Sequence, residues 1–281
     1  MTNDLIVAQG VHFSYDGSSK VEALCGVDLR VRRGEYLVIL GRNGSGKSTL
    51  AKCLNGLLIP DRGDVYVNGI NTRHSEAGYA VRAMVGIVLQ NPDNQFVATT
   101  VEEEVAFGPE NLGLPCEELR SRVDEALALT GLLGLRQRSV RYLSAGEKAR
   151  LAVAGILAMR PQCLILDEST AMLDPGARCE LLRVVRGLHE QGMTIIAITH
   201  AMAEVPEAQR AVVLEAGKVA FEGTPVELFT SNDALHQLSL QPPPVASIVE
   251  GLRRRGLGLS RDILTGPDLV RALAVYGETR A

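Results

Sequence analysis

Nine consecutive residues, Gly41-Arg42-Asn43-Gly44-Ser45-Gly46-Lys47-Ser48-Thr49, set three glycines beside a lysine and several hydroxyls. The spacing is G-x-x-x-x-G-K-[ST], and its chemistry is phosphate binding. Glycines let successive backbone N–H groups curl around the β- and γ-phosphates. Lys47 sets a point charge between those phosphates, and the Ser48 hydroxyl is suited to Mg²⁺. Gly41, Asn43, Gly44, Ser45, Gly46, Lys47, Ser48 and Thr49 are the expected nucleotide-binding residues, with ATP and Mg²⁺ as ligands. The setting agrees: the apolar run Tyr36–Leu40 precedes the loop, and Leu50, Leu54 and Leu57 follow at helical spacing. A helix opening there adds the positive end of its dipole.

A carboxylate pair, Asp167-Glu168, closes a second apolar run, Cys163–Leu166. At the carboxyl edge of a doubly wound sheet such a pair faces the phosphate site. Asp167 is expected to hold Mg²⁺, usually through water, and Glu168 to take a proton from the attacking water or to orient it. A solvated turn or a helix cap is the alternative for such a pair. His200 follows a third run, Thr194–Ile198, which brings an imidazole to the same edge, within reach of the γ-phosphate or the water. Gln90, after Val85–Leu89, offers Mg²⁺ a neutral amide oxygen. Lys47, Glu168 and His200 are the expected catalytic residues, and Ser48, Gln90 and Asp167 the expected metal ligands.

These groups need a frame that brings the ends of three runs together. Each run is continuously apolar, as in a parallel strand covered on both faces. Leu181, Val184, Val185 and Leu188 recur at helical spacing before the third run, so strands alternate with helices and the class is α/β. Leu5–Val7, Val11–Phe13, Val27–Val31 and Val65–Val67 are broken by glycine and turn signals and read as antiparallel hairpins beside that core. Residues from about Phe96 to Met159 predict a helical insertion. Val212–Leu214 and Lys218–Phe221, around Glu215-Ala216-Gly217, predict a closing hairpin. A stiff linker begins near Gln241-Pro242-Pro243-Pro244, and Ile248, Val249 and Leu252 suggest a small helical tail.

A formal net charge of −4 gives no basic surface to drive counterion release from a polyanion, so no nucleic-acid partner is expected. The five cysteines form no C-x-x-C pair and are expected to be reduced. No secretory signal is visible, and the longest apolar runs fall far short of the roughly 20 residues that a membrane helix needs. A membrane role is therefore expected to come through a partner.

Leu143-Ser144-Ala145-Gly146-Glu147-Lys148 resembles the L-S-G-G-Q signature of ATP-binding-cassette (ABC) ATPases. The phosphate loop, Gln90, the signature, Asp167-Glu168, Leu173-Asp174 and His200 stand in the order that family uses, over nearly the first 230 residues. The resemblance implies a P-loop NTPase of the ABC nucleotide-binding type, with an antiparallel β subdomain, a helical subdomain and a small C-terminal helical extension. It also implies head-to-tail dimers, in which Ser144 and Gly146 of one chain close on ATP held by the loop of the other. Tyr15, in Phe13-Ser14-Tyr15-Asp16, matches the aromatic that stacks on adenine; packing is the plainer role for an aromatic in a hairpin.

Gln90-Asn91-Pro92-Asp93-Asn94-Gln95 and Val105-Ala106-Phe107-Gly108-Pro109-Glu110-Asn111-Leu112-Gly113 resemble the ATPases of energy-coupling-factor (ECF) transporters, including the cobalt-type subunit. The resemblance implies import of a vitamin or a transition-metal ion. The implied partners are a second ABC ATPase, identical or related, a transmembrane coupling subunit and a substrate-binding membrane subunit, with the chain peripheral at the cytoplasmic face of the membrane. Asp93, Asn94 and Gln95 are implied in the groove for the coupling helix. The expected domains are 1–235, ATP-binding, with its helical part at about 95–160, and 236–281, an extension for dimerisation.

Ala145 and Glu147 depart from the signature, and Ser169 replaces a common proline. If Glu147 faced the nucleotide, like-charge repulsion would weaken the composite site. A regulatory subunit with weak catalysis, a soluble ABC ATPase of nucleic-acid repair or translation, and an ABC importer of another type are the alternatives.

Overall fold

The computed structural model describes residues 3–15, 22–74, 76–230, 235, 238 and 240–278. Asp16, and residue 236 where the extension was expected to begin, lie outside the described residues. The core is a six-stranded sheet of β3 (Tyr36–Gly41), β6 (Val85–Val88), β7 (Cys163–Asp167), β8 (Thr194–Ile198), β9 (Arg210–Glu215) and β10 (Lys218–Gly223), in the order β10-β9-β3-β8-β7-β6. All its pairings are parallel except β9 with β10. Every residue of β3, β6, β7 and β8 is buried, which explains why these strands read as unbroken apolar runs. Pairing of Ile39 and Asp167 with Ile198 sets the carboxyl ends of β3, β7 and β8 side by side.

A second, antiparallel sheet runs β2-β1-β4-β5, from β1 (Asp4–Phe13), β2 (Leu24–Arg32), β4 (Arg62–Val67) and β5 (Ile70–Asn71). The runs Leu5–Val7 and Val11–Phe13, expected to be separate, are one strand. Its register slips between Ala8 and Val11, where Gly10 takes a φ of 53°. The β4–β5 and β9–β10 hairpins turn on Asn68-Gly69 and Ala216-Gly217, all four at positive φ, which matches the twist of paired strands.

The helices are α1 (Lys47–Leu54), α2 (Ala77–Met84), α3 (Val101–Asn111), α4 (Cys116–Leu129), α5 (Ala145–Leu157), α6 (Pro175–Glu190), α7 (Pro225–Thr230), α8 (Pro244–Arg254) and α9 (Gly266–Glu278). Alternate residues of β3 enter two cores. Leu37 and Ile39 pack with α1 and the antiparallel sheet, while Tyr36, Val38 and Leu40 pack toward α3–α6. A third cluster, Val249, Leu259 and Ile263, holds the C-terminal helices together. Leu57 does not continue α1 as expected and is exposed. The helix ends first, because Gly56 turns left-handed, its N–H reaching Cys53 O at 3.1 Å and that of Leu57 reaching Lys52 O at 2.9 Å. All five cysteines are free, and no helix among the described residues is long and apolar enough to cross a membrane.

Candidate active site: a phosphate loop facing a held carboxylate

Strand β3 delivers the loop, and close packing dictates its glycines. A Cβ on Gly41 would lie 2.3 Å from Leu214 O, and one on Gly46 2.4 Å from Ala23 O; both residues also take positive φ. Gly46 caps α1, so the first turn of that helix points its N–H groups into the loop. The Lys47 ammonium folds back over the same loop, donating to Gly41 O at 2.9 Å and Arg42 O at 3.1 Å, with its side chain buried. Burial pulls its pKa down, against the pull of Glu168 and Asp167.

The carboxyl end of β7 supplies the opposing charges. Ser48 Oγ donates to Asp167 Oδ1 at 2.9 Å. Asp167 is 3% exposed, and burial pushes its carboxyl above the usual range; the Ser48 bond resists this and the neighbouring Glu168 charge adds to it. A buried carboxylate that accepts a serine hydroxyl, with no ion pair within 4 Å among the described residues, fits the hard oxygen ligand set of Mg²⁺.

Glu168 takes a left-handed φ of 52°, a conformation that costs a residue with a Cβ about 1–2 kcal/mol. Its N–H bonds Ile198 O at 2.9 Å, and its carboxylate is gripped from two loops. His200 Nε2 lies 2.7 Å from Oε1, and Gln90 Nε2 donates to Oε2 at 3.0 Å. Lys47 Nζ stands 3.8 Å from Oε1. Strain at a carboxylate that neighbouring loops over-determine is characteristic of a functional site.

Tyr15, Asn43, Gly44, Gly46, Lys47, Ser48, Thr49, Gln90 and Glu168 line one cleft of about 360 Å³. Gly41 and Ser45 line an adjoining cleft that shares Asn43 and Gly44 with it, and the buried Ser45 hydroxyl has no hydrogen-bond partner among the described residues. Asp167 joins the cleft through Ser48, and His200 through Glu168. Tyr15 is 62% exposed, its hydroxyl 3.1 Å from Thr49 Oγ1 and its ring edge-on to Phe13 at 5.1 Å. Loop donors, an ammonium with a held carboxylate 3.8 Å from it, and an open aromatic at the rim suit a nucleoside triphosphate.

The ABC transporter family model matches residues 24–171. An energy-coupling factor transporter ATP-binding protein EcfA1 from Symbiobacterium thermophilum is 54% identical over 97% of this chain and 98% of that protein. The chain belongs to the ABC transporter family. Within it, this ABC protein stands among the energy-coupling factor transporter ATP-binding proteins. In structure it resembles cbiO1 from Clostridium perfringens, described as part of the ABC transporter complex cbiONQ. Their TM-score is 0.76 at 35% identity, covering 89% of this chain and all of that one. It also resembles the ATP-binding cassette MJ0796, solved as a dimer in a post-hydrolysis state with ADP and Pi. There the TM-score is 0.71 at 26% identity, covering 78% of this chain and 98% of that one.

The signature of this ABC protein lies at the N-terminus of α5, and neither Ser144 nor Gly146 lines the cleft that holds the phosphate loop. Glu147 turns back on its own helix. Its carboxylate accepts the Ser144 N–H at 2.7 Å while the Ser144 hydroxyl accepts the Glu147 N–H at 3.3 Å, a reciprocal cap. The Ser144 N–H holds the Glu147 carboxyl below its usual range, helped by the Ser144 hydroxyl, Arg138 and Arg150 against burial. Gly146 is buried, and a Cβ there would meet the Ala177 methyl at 2.6 Å, so its lack of a side chain also lets α5 and α6 approach.

A second cleft of about 370 Å³ lies between α2 and the helical region, lined by Tyr79, Gln95, Phe96, Phe107 and Met159 among others. Gln95, expected with Asp93 and Asn94 in the groove for a coupling helix, is among its lining residues, its amide bridging Leu89 N–H and Ile87 O on β6. Asp93 and Asn94 stand outside that lining, and Asp93 pairs with Lys148 of α5 at 2.6 Å. That pair, and a buried carboxylate at Glu204 behind His200, carry no signature in the linear sequence beyond a charge at the right offset.

Proposed function

We propose that this chain is the ATP-binding and ATP-hydrolysing subunit of an ECF-type importer of a vitamin or a transition-metal ion. It would pair with a second ABC ATPase, identical or related, and sit at the cytoplasmic face of the membrane on a transmembrane coupling subunit that works with a substrate-binding membrane subunit. The observation that carries the reading is the Glu168 carboxylate, held by His200 at 2.7 Å and Gln90 at 3.0 Å beside the Lys47 ammonium of the phosphate loop.

The loop N–H groups and Lys47 bind and align the β- and γ-phosphates, and the exposed ring of Tyr15 offers a face to adenine. Ser48 and Asp167, with the Gln90 amide oxygen, would hold Mg²⁺, which when bound offsets phosphate charge. Glu168 accepts a proton from water as its oxygen attacks the γ-phosphorus and the bond to the ADP oxygen breaks. His200 holds the carboxylate in that position. Ser144 and the N–H groups that open α5 would face the γ-phosphate bound by the partner chain. With Glu147 turned into its own helix cap, the repulsion that would favour a weakly catalytic regulatory subunit loses its premise. The cleft lined by exposed Tyr79 and Phe107 is the surface offered to the coupling subunit.

Purification of the tagged chain from its native membrane, with identification of what accompanies it, tests the assignment. The expected companions are an ABC ATPase and two membrane proteins; recovery with no membrane protein would contradict it.

A further inference from the structure

We propose that Glu204, through Thr199, is a positioning residue for His200, and that Arg178 links it to the segment following Glu168. The proposal rests on the reading of Glu168 and His200 given above.

Glu204 is 7% exposed, and its Oε2 accepts the Thr199 hydroxyl at 2.8 Å in a fully buried contact. Thr199 Oγ1 in turn accepts the Ala201 N–H at 3.0 Å, and the Glu204 N–H closes the turn on Ala201 O at 2.9 Å. The residues on both sides of His200 are therefore tied together at the Thr199 hydroxyl, which the buried Glu204 carboxylate holds. Rotating the Glu204 side chain away would release Thr199, and with it the peptide that aims the imidazole at Glu168.

The other Glu204 oxygen, Oε1, is buried with no hydrogen-bond partner among the described residues, and so is Arg178 Nε, 3.9 Å from it. Arg178 Nη2 donates to Thr170 O at 3.3 Å, and the Ala171 N–H bonds Glu168 O at 3.0 Å. The contacts form a circuit from Glu168 through the 170–171 backbone, Arg178, Glu204 and Thr199 to His200, and back to Glu168 at 2.7 Å. Two opposite charges about 1 Å short of a hydrogen bond leave Oε1 and Nε unsatisfied, so a small shift of the 169–174 segment is registered directly at Glu204. That segment opens α6 with the exposed Met172 at its tip.

The test uses the full chain with the subunits it purifies with, comparing Glu204→Gln, Thr199→Val, Thr199→Ser and His200→Ala. Thr199→Val is expected to lower kcat about tenfold with KM for Mg-ATP within about threefold, since a displacement near 1 Å costs up to about a hundredfold; Glu204→Gln, whose amide oxygen still accepts the Thr199 hydroxyl but which loses the charge facing Arg178, is expected to lose less. Thr199→Ser, which keeps the hydroxyl, should restore kcat to within about twofold of wild type. A buried anchor with no role at the site predicts a lower melting temperature with unchanged kcat. Wild-type kcat in Thr199→Val, or equal losses in Thr199→Val and Thr199→Ser, would overturn the proposal. Should Glu204→Gln not fold, the two Thr199 variants decide it. His200→Ala at the wild-type rate would instead overturn the site assignment itself.

Discussion

The His200 imidazole meets the Glu168 carboxylate at 2.7 Å, Nε2 to Oε1, across the boundary between the neighbouring strands β7 and β8. Neither residue follows a long loop. Each leaves its strand directly, and the left-handed turn at Glu168 swings the carboxylate over the phosphate loop. Buried parallel strands are about as rigid as protein structure becomes, so the frame fixes the strand ends from which both residues start, and the bonds of Thr199 hold the turn that carries His200.

Lys47→Ala removes the only ammonium lining the cleft among the described residues. Hydrogen bonds to charged groups contribute roughly 1.5–3 kcal/mol, so the dissociation constant for Mg-ATP should rise at least about tenfold. Fluorescence titration with nucleotide checks this, and unchanged affinity would count against the loop assignment.

Tyr15→Ala should weaken ATP binding about two- to tenfold, the range of an aromatic face contact, while Tyr15→Phe binds as wild type. The ring rather than the hydroxyl, which bonds Thr49 at 3.1 Å, then carries the effect. The same titrations with inorganic triphosphate should show no difference between Tyr15→Ala and wild type; a difference there would point to the loop instead of the base.

Much of this arrangement was legible beforehand for identifiable reasons. Strands buried on both faces leave unbroken runs, and a phosphate loop needs glycines where neighbouring carbonyls stand about 2.3 Å from a would-be Cβ, as at Gly41 and Gly46. Side-chain direction was harder to read. A glutamate at the signature is compatible with facing a phosphate or capping its own helix, and only the path of the Leu143–Ser144 backbone decides for the cap. Leu57 kept the helical spacing that ended at Gly56, because periodicity cannot register a left-handed residue within it. Asp93 turned toward Lys148, and Glu204 met Thr199 behind the sheet edge, through packing that spacing does not encode.

Glu147→Ala should lower the melting temperature by about 1–4 °C near neutral pH, the scale of one lost helix cap. Because the folded Glu147 pKa lies below its ordinary 4.5, this stabilisation is fully present above the unfolded value and fades as pH falls through the folded one. Melting curves at pH 7 and at successively lower pH should show the gap between variant and wild type closing below about 4.5. A gap that widened on acidification would contradict the cap.

Glu168→Gln tests the central claim most directly, because the amide keeps the shape and removes the proton acceptor. With ATP binding and steady-state hydrolysis measured on one preparation, affinity should stay within about threefold. Turnover should fall at least about a hundredfold, with a nucleotide-bound dimer accumulating. Hydrolysis by Glu168→Gln at the wild-type rate would contradict the account.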